Sequence, residues 1–321
     1  MSTGPTPAPA SEARRRLRRR SQTSPWEAGQ GLAFVLPALI ILGTFLVYPA
    51  IWTIRLSLDR GRGLRFEKWV GLDNYKELLT DDPSFLDLHR FPPQGALVNN
   101  VKWMVLYTGL CIGLGLVLAV LAGRVRYERL VKASVFVPMS IAATAVGVIW
   151  LFVYSPNPDI GLLNAITTRL GADPVSWVGR DSTVNYAIIV AYVWFSAGFA
   201  MVVLSAALKG ISTEIVEAAR VDGAGEWAIF RRILMPMISL PLAVVAVWLI
   251  INVIKVFDVI YIMTRGGPGA SSRVIAYSMF FETFENGRGG YGAAVAVVML
   301  LMIVPIMALN VRRFRSERVT T

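Results

Sequence analysis

The chain has 321 residues, 55% hydrophobic and 17% charged, with 32 Lys+Arg against 21 Asp+Glu for a formal charge of +11. Ordinary soluble domains are ~45–50% apolar and ~25% charged, so the composition points to a membrane protein and excludes a disordered chain. A single cysteine, Cys111, and a single histidine, His89, exclude an intrachain disulfide, a His/Cys metal site and a His-based catalytic triad.

In chain order, residues 1–30 read as a cytoplasmic tail, disordered through residue 13 and basic over residues 14–20. The apolar stretch after it is too long for the core of a cleaved signal peptide, so it is expected to stay as a first helix. A bilayer core takes ~20 mostly apolar residues per spanning helix. Six stretches meet that: residues 31–57, 97–121, 133–153, 184–208, 238–262 and 290–311. The expected fold is therefore all-α and polytopic, with six transmembrane helices over 31–311 and a basic cytoplasmic tail over 312–321. Pro37, Pro49, Pro138, Pro241 and Pro305 fall inside these stretches and are not expected to end the helices, because neighbours can re-satisfy the freed backbone groups. Basic residues crowd residues 14–20, 124–132 and 312–318, which places both chain ends and the even-numbered loops in the cytoplasm. These charges orient helices against lipid; they do not call for nucleic acid.

One cytoplasmic loop, residues 209–237, is long enough to carry structure of its own. Ser212 or Thr213 is placed to cap a helix through Val221, and a second helical piece follows from Glu226 after the break at Asp222, Gly223, Ala224 and Gly225. The small residues Ala218, Ala219, Gly223 and Ala224 leave a low surface that another protein can approach. By its residues alone the loop reads equally as a docking surface or as an amphipathic hairpin lying on the headgroups.

Glu217-Ala218-Ala219, Asp222-Gly223-Ala224, then Ile233 and Pro236 resemble the EAA loop of bacterial ABC-importer membrane subunits, with Met235 at a position usually leucine. Residues 256–261 and 263–269, reading VFDVIY and MTRGGPG, and Gly290-Tyr291-Gly292 are similar to the corresponding region of carbohydrate permeases of the maltose and glycerol-phosphate type. Residues 71–75, GLDNY, resemble the element after their first helix. The resemblance runs over nearly the whole chain from Gly31 to Arg313. It implies a type I ABC-importer transmembrane domain that forms half a pore for a carbohydrate, with an oligosaccharide such as an α-glucoside as the expected cargo. It also implies partners: a second, related permease in a heterodimer, two ATP-binding subunits carrying ATP and Mg, and an extracellular solute-binding protein. Glu217, Ala218, Ala219, Arg220, Asp222, Gly223, Ile233 and Pro236 are then the ATPase-coupling loop. Arg265 and Asn100 depart from the family pattern and are expected to bear on substrate detail.

No G-x-x-x-x-G-K-[ST] occurs, so no P-loop is present to cradle nucleotide phosphates; the chain is expected not to be an enzyme, nor to hold a cofactor or metal itself. The Gly266–Gly269 cluster reads as a rigid external turn. Within the membrane, ionisable and polar groups are costly and seek a partner or a wet cavity. Lys255 and Asp258, three apart in an expected helix, share a side and can pair. The substrate pathway is expected from Asn252, Lys255, Asp258, Tyr261, Ser196, Tyr192 and Trp194, since sugars offer hydroxyls to polar groups and C–H faces to rings. The alternative to an ATP-driven importer is an ion-coupled secondary transporter or channel, with Lys255 and Asp258 as its coupling site.

Overall fold

The structure, a computed structural model, describes residues 25–89 and 91–317. Of the expected tails, 1–30 and 312–321, residues 1–24 and 318–321 lie outside the described residues. Among the described residues there is no β-strand, only the isolated bridges Asp59–Trp69 and Asp87–Gln94. Contacts divide the chain into two compact units, with the boundary between Thr53 and Ile54.

The first unit is helical from Pro25, six residues ahead of the expected start at 31: α1 covers Pro25–Leu42 and a π turn, Gly43–Val47, leads into α2, Tyr48–Leu56. Pro37 lies inside α1 without ending it, as expected. Residues Ala33–Leu56 are long and apolar enough to cross a bilayer.

The second unit is built around α3, Ala96–Ala122, and α7, Val184–Lys209, which pack along each other. Gly115 permits the approach: a Cβ there would meet Ala200 Cβ at 2.7 Å and Met201 N at 2.9 Å. Three buried asparagines, which the hydropathy pattern leaves without a role, tie this pair to later elements. Asn99 Nδ2 donates to Ser271 O and Arg273 O, both at 2.8 Å. Asn100 Nδ2 donates to Val253 O at 3.1 Å, and its Oδ1 accepts from Ile275 N at 2.7 Å. Asn185 Nδ2 donates to Ser271 O at 2.6 Å and to Asn99 Oδ1 at 3.2 Å, while its own Oδ1 accepts from Trp103 Nε1 at 3.2 Å. Buried amides are affordable only when satisfied, and each of these closes on backbone or on another amide. Asn100 is thus a structural bracket, which corrects its assignment to substrate detail: both ends of its amide are committed to backbone.

Among the described residues four helices are long and apolar enough to span, including Val184–Lys209 and Gly289–Ala308, and two bent helix pairs bring the number to six if each is taken as one span. The third stretch, expected as one helix over 133–153, is α4, Glu128–Phe136, a 3-10 turn Val137–Ser140, and α5, Ala143–Val153, with a bend of 101°. Pro138 cannot donate within the turn, yet Val137 before it stays helical; the chain leaves the helix at Ile141 and Ala142, extended at ψ 145° and 140°. After α6, Leu162–Arg169, and α7 come α8, Thr213–Val221, and α9, Glu226–Ile229. The fifth stretch, expected as one helix over 238–262, is α10, Ser239–Ile254, a break at residues 255–257, and α11, Asp258–Met263, with a 70° bend before α10. Pro241 falls in the first turn of α10, where its missing N–H has no helical partner to lose. The last elements are α12, Ile275–Phe280, and α13, Gly289–Glu317, which runs through Pro305 unbroken. α11 packs on α5, and α12 on α13.

Candidate functional site

The loop between α7 and α10 folds as two limbs about a sharp turn. Ser212 caps α8, its Oγ accepting from Glu214 N at 3.2 Å. α8 ends with Asp222 N donating to Ala218 O, Gly223 N to Arg220 O and Ala224 N to Ala219 O. Gly223 sits at φ +82°, the left-handed conformation that glycine adopts without a Cβ penalty. This is a Schellman ending, and it gives the Asp222-Gly223-Ala224 sequence a physical reason: the glycine reverses the chain while the small residues on either side satisfy the last carbonyls. Arg220 Nε donates to Glu226 Oε1 at 2.8 Å across the turn and so ties the limbs together. That carboxylate holds the guanidinium of Arg220 above its ordinary pKa.

The sequence-derived loop residues are brought together. Glu217, Ala218, Arg220, Asp222 and Gly223 are exposed along α8 and its turn, with Ala219 half-buried behind them. Ile233 and Pro236 lie on the returning limb, half-buried and exposed respectively. The loop also presents Val221 at 88% exposure and Trp227 at 71%, two large apolar side chains that the sequence reading did not single out. Apolar residues next to charges at a rigid turn are what a protein partner can cover.

The second candidate lies at the break in the fifth stretch. A cavity of about 150 Å³ is lined by Tyr192, Asn252, Lys255, Phe257 and Asp258, with Ala143 at the start of α5. Both bent spans therefore deliver a helix end to one place. Non-helical backbone at membrane depth is tolerated where it is buried in protein or lines a wet cavity, and this volume holds about five waters at the liquid share of ~30 Å³ each. The expected Lys255–Asp258 pair is absent: no ion pair joins them among the described residues. The helix that would have put them on one side ends at Ile254. Lys255 instead occupies the C-cap of α10 and Asp258 the first turn of α11, so each charge faces the helix end of opposite sign.

Of the remaining pathway residues, Asn252 lines the cavity but spends one of its two amide hydrogens on Trp248 O at 2.8 Å, leaving the other N–H and Oδ1. Tyr261 stands beside the cavity, stacked on Phe257 at 5.3 Å. Ser196 is buried within α7, and Trp194 turns its edge to Trp150 at 5.9 Å; neither lines the cavity. The Gly266–Gly269 turn is pinned by hydrogen bonds: Ser272 Oγ donates to Gly267 O at 2.6 Å and contacts Thr264 Oγ1 at 2.7 Å. Arg265, held at φ 49°, places its guanidinium over the Tyr261 ring. In the GLDNY element, Asn74 Nδ2 donates to Ser57 O and Asp59 O, both at 2.9 Å.

A family model described as "Binding-protein-dependent transport system inner membrane component" matches residues 112–315. The chain is 44% identical to the osmoprotective compounds uptake permease protein GgtC of Synechocystis sp. over 88% of this chain and 98% of that protein. It is 38% identical to the alpha-glucoside transport system permease protein AglF of Rhizobium meliloti over 95% of this chain and 86% of that protein. A chain of the crystal structure of a bacterial ABC transporter involved in the import of alginate superposes with a TM-score of 0.70 at 23% identity, covering 89% of this chain and 98% of that one. That likeness carries the fold, which is that of a type I importer transmembrane domain. The chain belongs to the inner-membrane component family of binding-protein-dependent transport systems, and it is a multi-pass permease subunit of an ABC importer.

Proposed function

We propose that this permease admits a small neutral glycoside, with an α-glucoside as first choice, through a pore it forms with a second, related permease. Names of relatives support the class: one serves alpha-glucoside transport and one the uptake of osmoprotective compounds, and a small glycoside satisfies both descriptions. The cavity at residues 252–258 offers a carboxylate, an ammonium, an amide oxygen and a tyrosine ring, groups suited to hydroxyls and to the C–H face of a sugar. At about 150 Å³ it takes an edge of such a solute, not the whole, in keeping with a site shared by two permease chains. An external binding protein delivers the solute, and both chain ends face the cytoplasm.

The observation that carries the energy-coupling part is the rigid two-limbed turn at residues 213–237, with Glu217, Asp222, Val221 and Trp227 exposed on it. In this reading two partner subunits bind and hydrolyse ATP with Mg, and the turn transmits their closure to α7 and α10, biasing the pore between two states. An ion-coupled carrier would need a coupling pair, and Lys255 and Asp258 do not form one. The test is Gly223→Asp against Gly223→Ala in the assembled importer. A Cβ at position 223 meets nothing within 4 Å, Asp tolerates the positive φ at least as well as Ala, and only Gly223→Asp adds a charge. We expect ATP-driven sugar uptake to be abolished in Gly223→Asp and to persist in Gly223→Ala, with membrane insertion intact in both. Full uptake by Gly223→Asp, with ATPase subunits still co-purifying, refutes the coupling assignment.

A further inference from the structure

Behind the exposed face of the turn lies a cavity of about 370 Å³ between the ends of α3 and α7 and the inner side of α8. Its wall is apolar, from residues such as Ala119, Leu208 and Leu234, while Arg124, Lys209 and Arg220 stand in its lining against one carboxylate, Glu217. Two of these cations are already held by acids outside the lining: Lys209 by Glu128 at 2.7 Å and Arg220 by Glu226 at 2.8 Å. Among the described residues Arg124 makes no ion pair. An apolar wall with a cationic rim, at the ends of two spanning helices, matches a molecule with a hydrocarbon end and an anionic end at headgroup level.

We infer that this cavity is a binding site for one anionic phospholipid, whose phosphate is held by Arg124, with Lys209 and Arg220 beside it, and whose upper acyl carbons lie on the apolar wall. Basic pockets between transmembrane helices on the cytoplasmic side favour anionic headgroups, each cation near the surface contributing about fivefold in affinity. The inference rests on the cytoplasmic placement of the loop proposed above. A lipid seated here contacts α3, α7 and α8 together, so it stiffens the turn against the membrane helices from which it projects.

The test is native mass spectrometry of the assembled importer, stripped of lipid in detergent and titrated with 1-palmitoyl-2-oleoyl phosphatidylglycerol or the matching phosphatidylcholine. The parent protein is expected to retain phosphatidylglycerol on this chain at concentrations where phosphatidylcholine is lost. Arg124→Gln is expected to weaken that retention about fivefold, and Arg129→Gln, exposed on α4 outside the lining, to leave it unchanged. Equal retention of the two lipids by the parent protein overturns the site without recourse to any variant. So does an Arg124→Gln protein that assembles and binds like the parent, and so does displacement of the lipid by millimolar inorganic phosphate, which would mark a site for a soluble anion. Lipid retention is read separately from uptake: failure of the Gly223 test leaves these outcomes intact, and failure here leaves the coupling assignment standing.

Discussion

Asn100→Ala is the substitution whose cost the structure predicts most directly. The side chain is fully buried, and its two hydrogen bonds serve the carbonyl of Val253 on α10 and the amide of Ile275 at the start of α12, in residues that are themselves fully buried. Truncation leaves the Ile275 amide without a partner, while the Val253 carbonyl keeps the backbone amides of Lys255 and Val256, and an unsatisfied buried group costs ~1–3 kcal/mol. The expected loss is therefore about 1–3 kcal/mol, a sizeable share of the margin of most folds. Asn100→Leu, which restores volume but not hydrogen bonding, should lose a similar amount, whereas Val101→Ala, on the exposed side of the same turn, should change stability by less than ~0.5 kcal/mol. The assay is reversible unfolding of the purified chain in mixed micelles by added SDS, followed by tryptophan fluorescence. If Asn100→Ala unfolds within about 0.5 kcal/mol of the parent, the bracket assignment and the desolvation reasoning behind it fail together.

Gly115→Val should destabilise the chain by about 1–3 kcal/mol through overpacking against α7, while Gly113→Val, whose added Cβ meets nothing within 4 Å, should be close to neutral in the same assay. A double-mutant cycle on Lys255→Ala and Asp258→Ala should give a coupling below ~0.5 kcal/mol, the additivity expected of residues that do not interact; a larger value would restore the ion pair that the broken helix denies.

Hydropathy made the apolar stretches legible because a bilayer demands the same thing of every span, and the cap at Ser212 was legible because capping is a local bargain between a hydroxyl and one amide. Breaks were not legible on the same terms. Pro138 and Pro305 present the same missing N–H, yet one stands in a 101° bend and the other inside a continuous helix; the difference lies in what packs around them. Reading Lys255 and Asp258 as partners assumed an unbroken helix, and the inference failed with the assumption. The asparagines on α3 and α7 were visible as polar groups that need partners, but the backbone groups that the Asn99 and Asn100 side chains hold lie more than 150 residues away in the chain, beyond any local pattern. In the loop at residues 213–237 the motif residues stood out by their spacing, while exposed Val221 and Trp227 passed unnoticed because neither belongs to a motif.

The two bent spans also bear on how the chain is made. α10 has 16 residues and α5 has 11, so the rods are ~24 Å and ~16 Å long, and neither crosses a ~30 Å hydrocarbon core unaided. The piece that covers α5 is α11, packed closely enough that a Cβ on Gly147 would meet Ile262 at 3.0 Å, and it is synthesised only after α7 and the coupling loop. During biogenesis the third span must therefore wait at the membrane with its partner still on the ribosome. Packing of the third span thus follows translation of the fifth, and the sixth, α13, which packs on α10 and α12, is translated last.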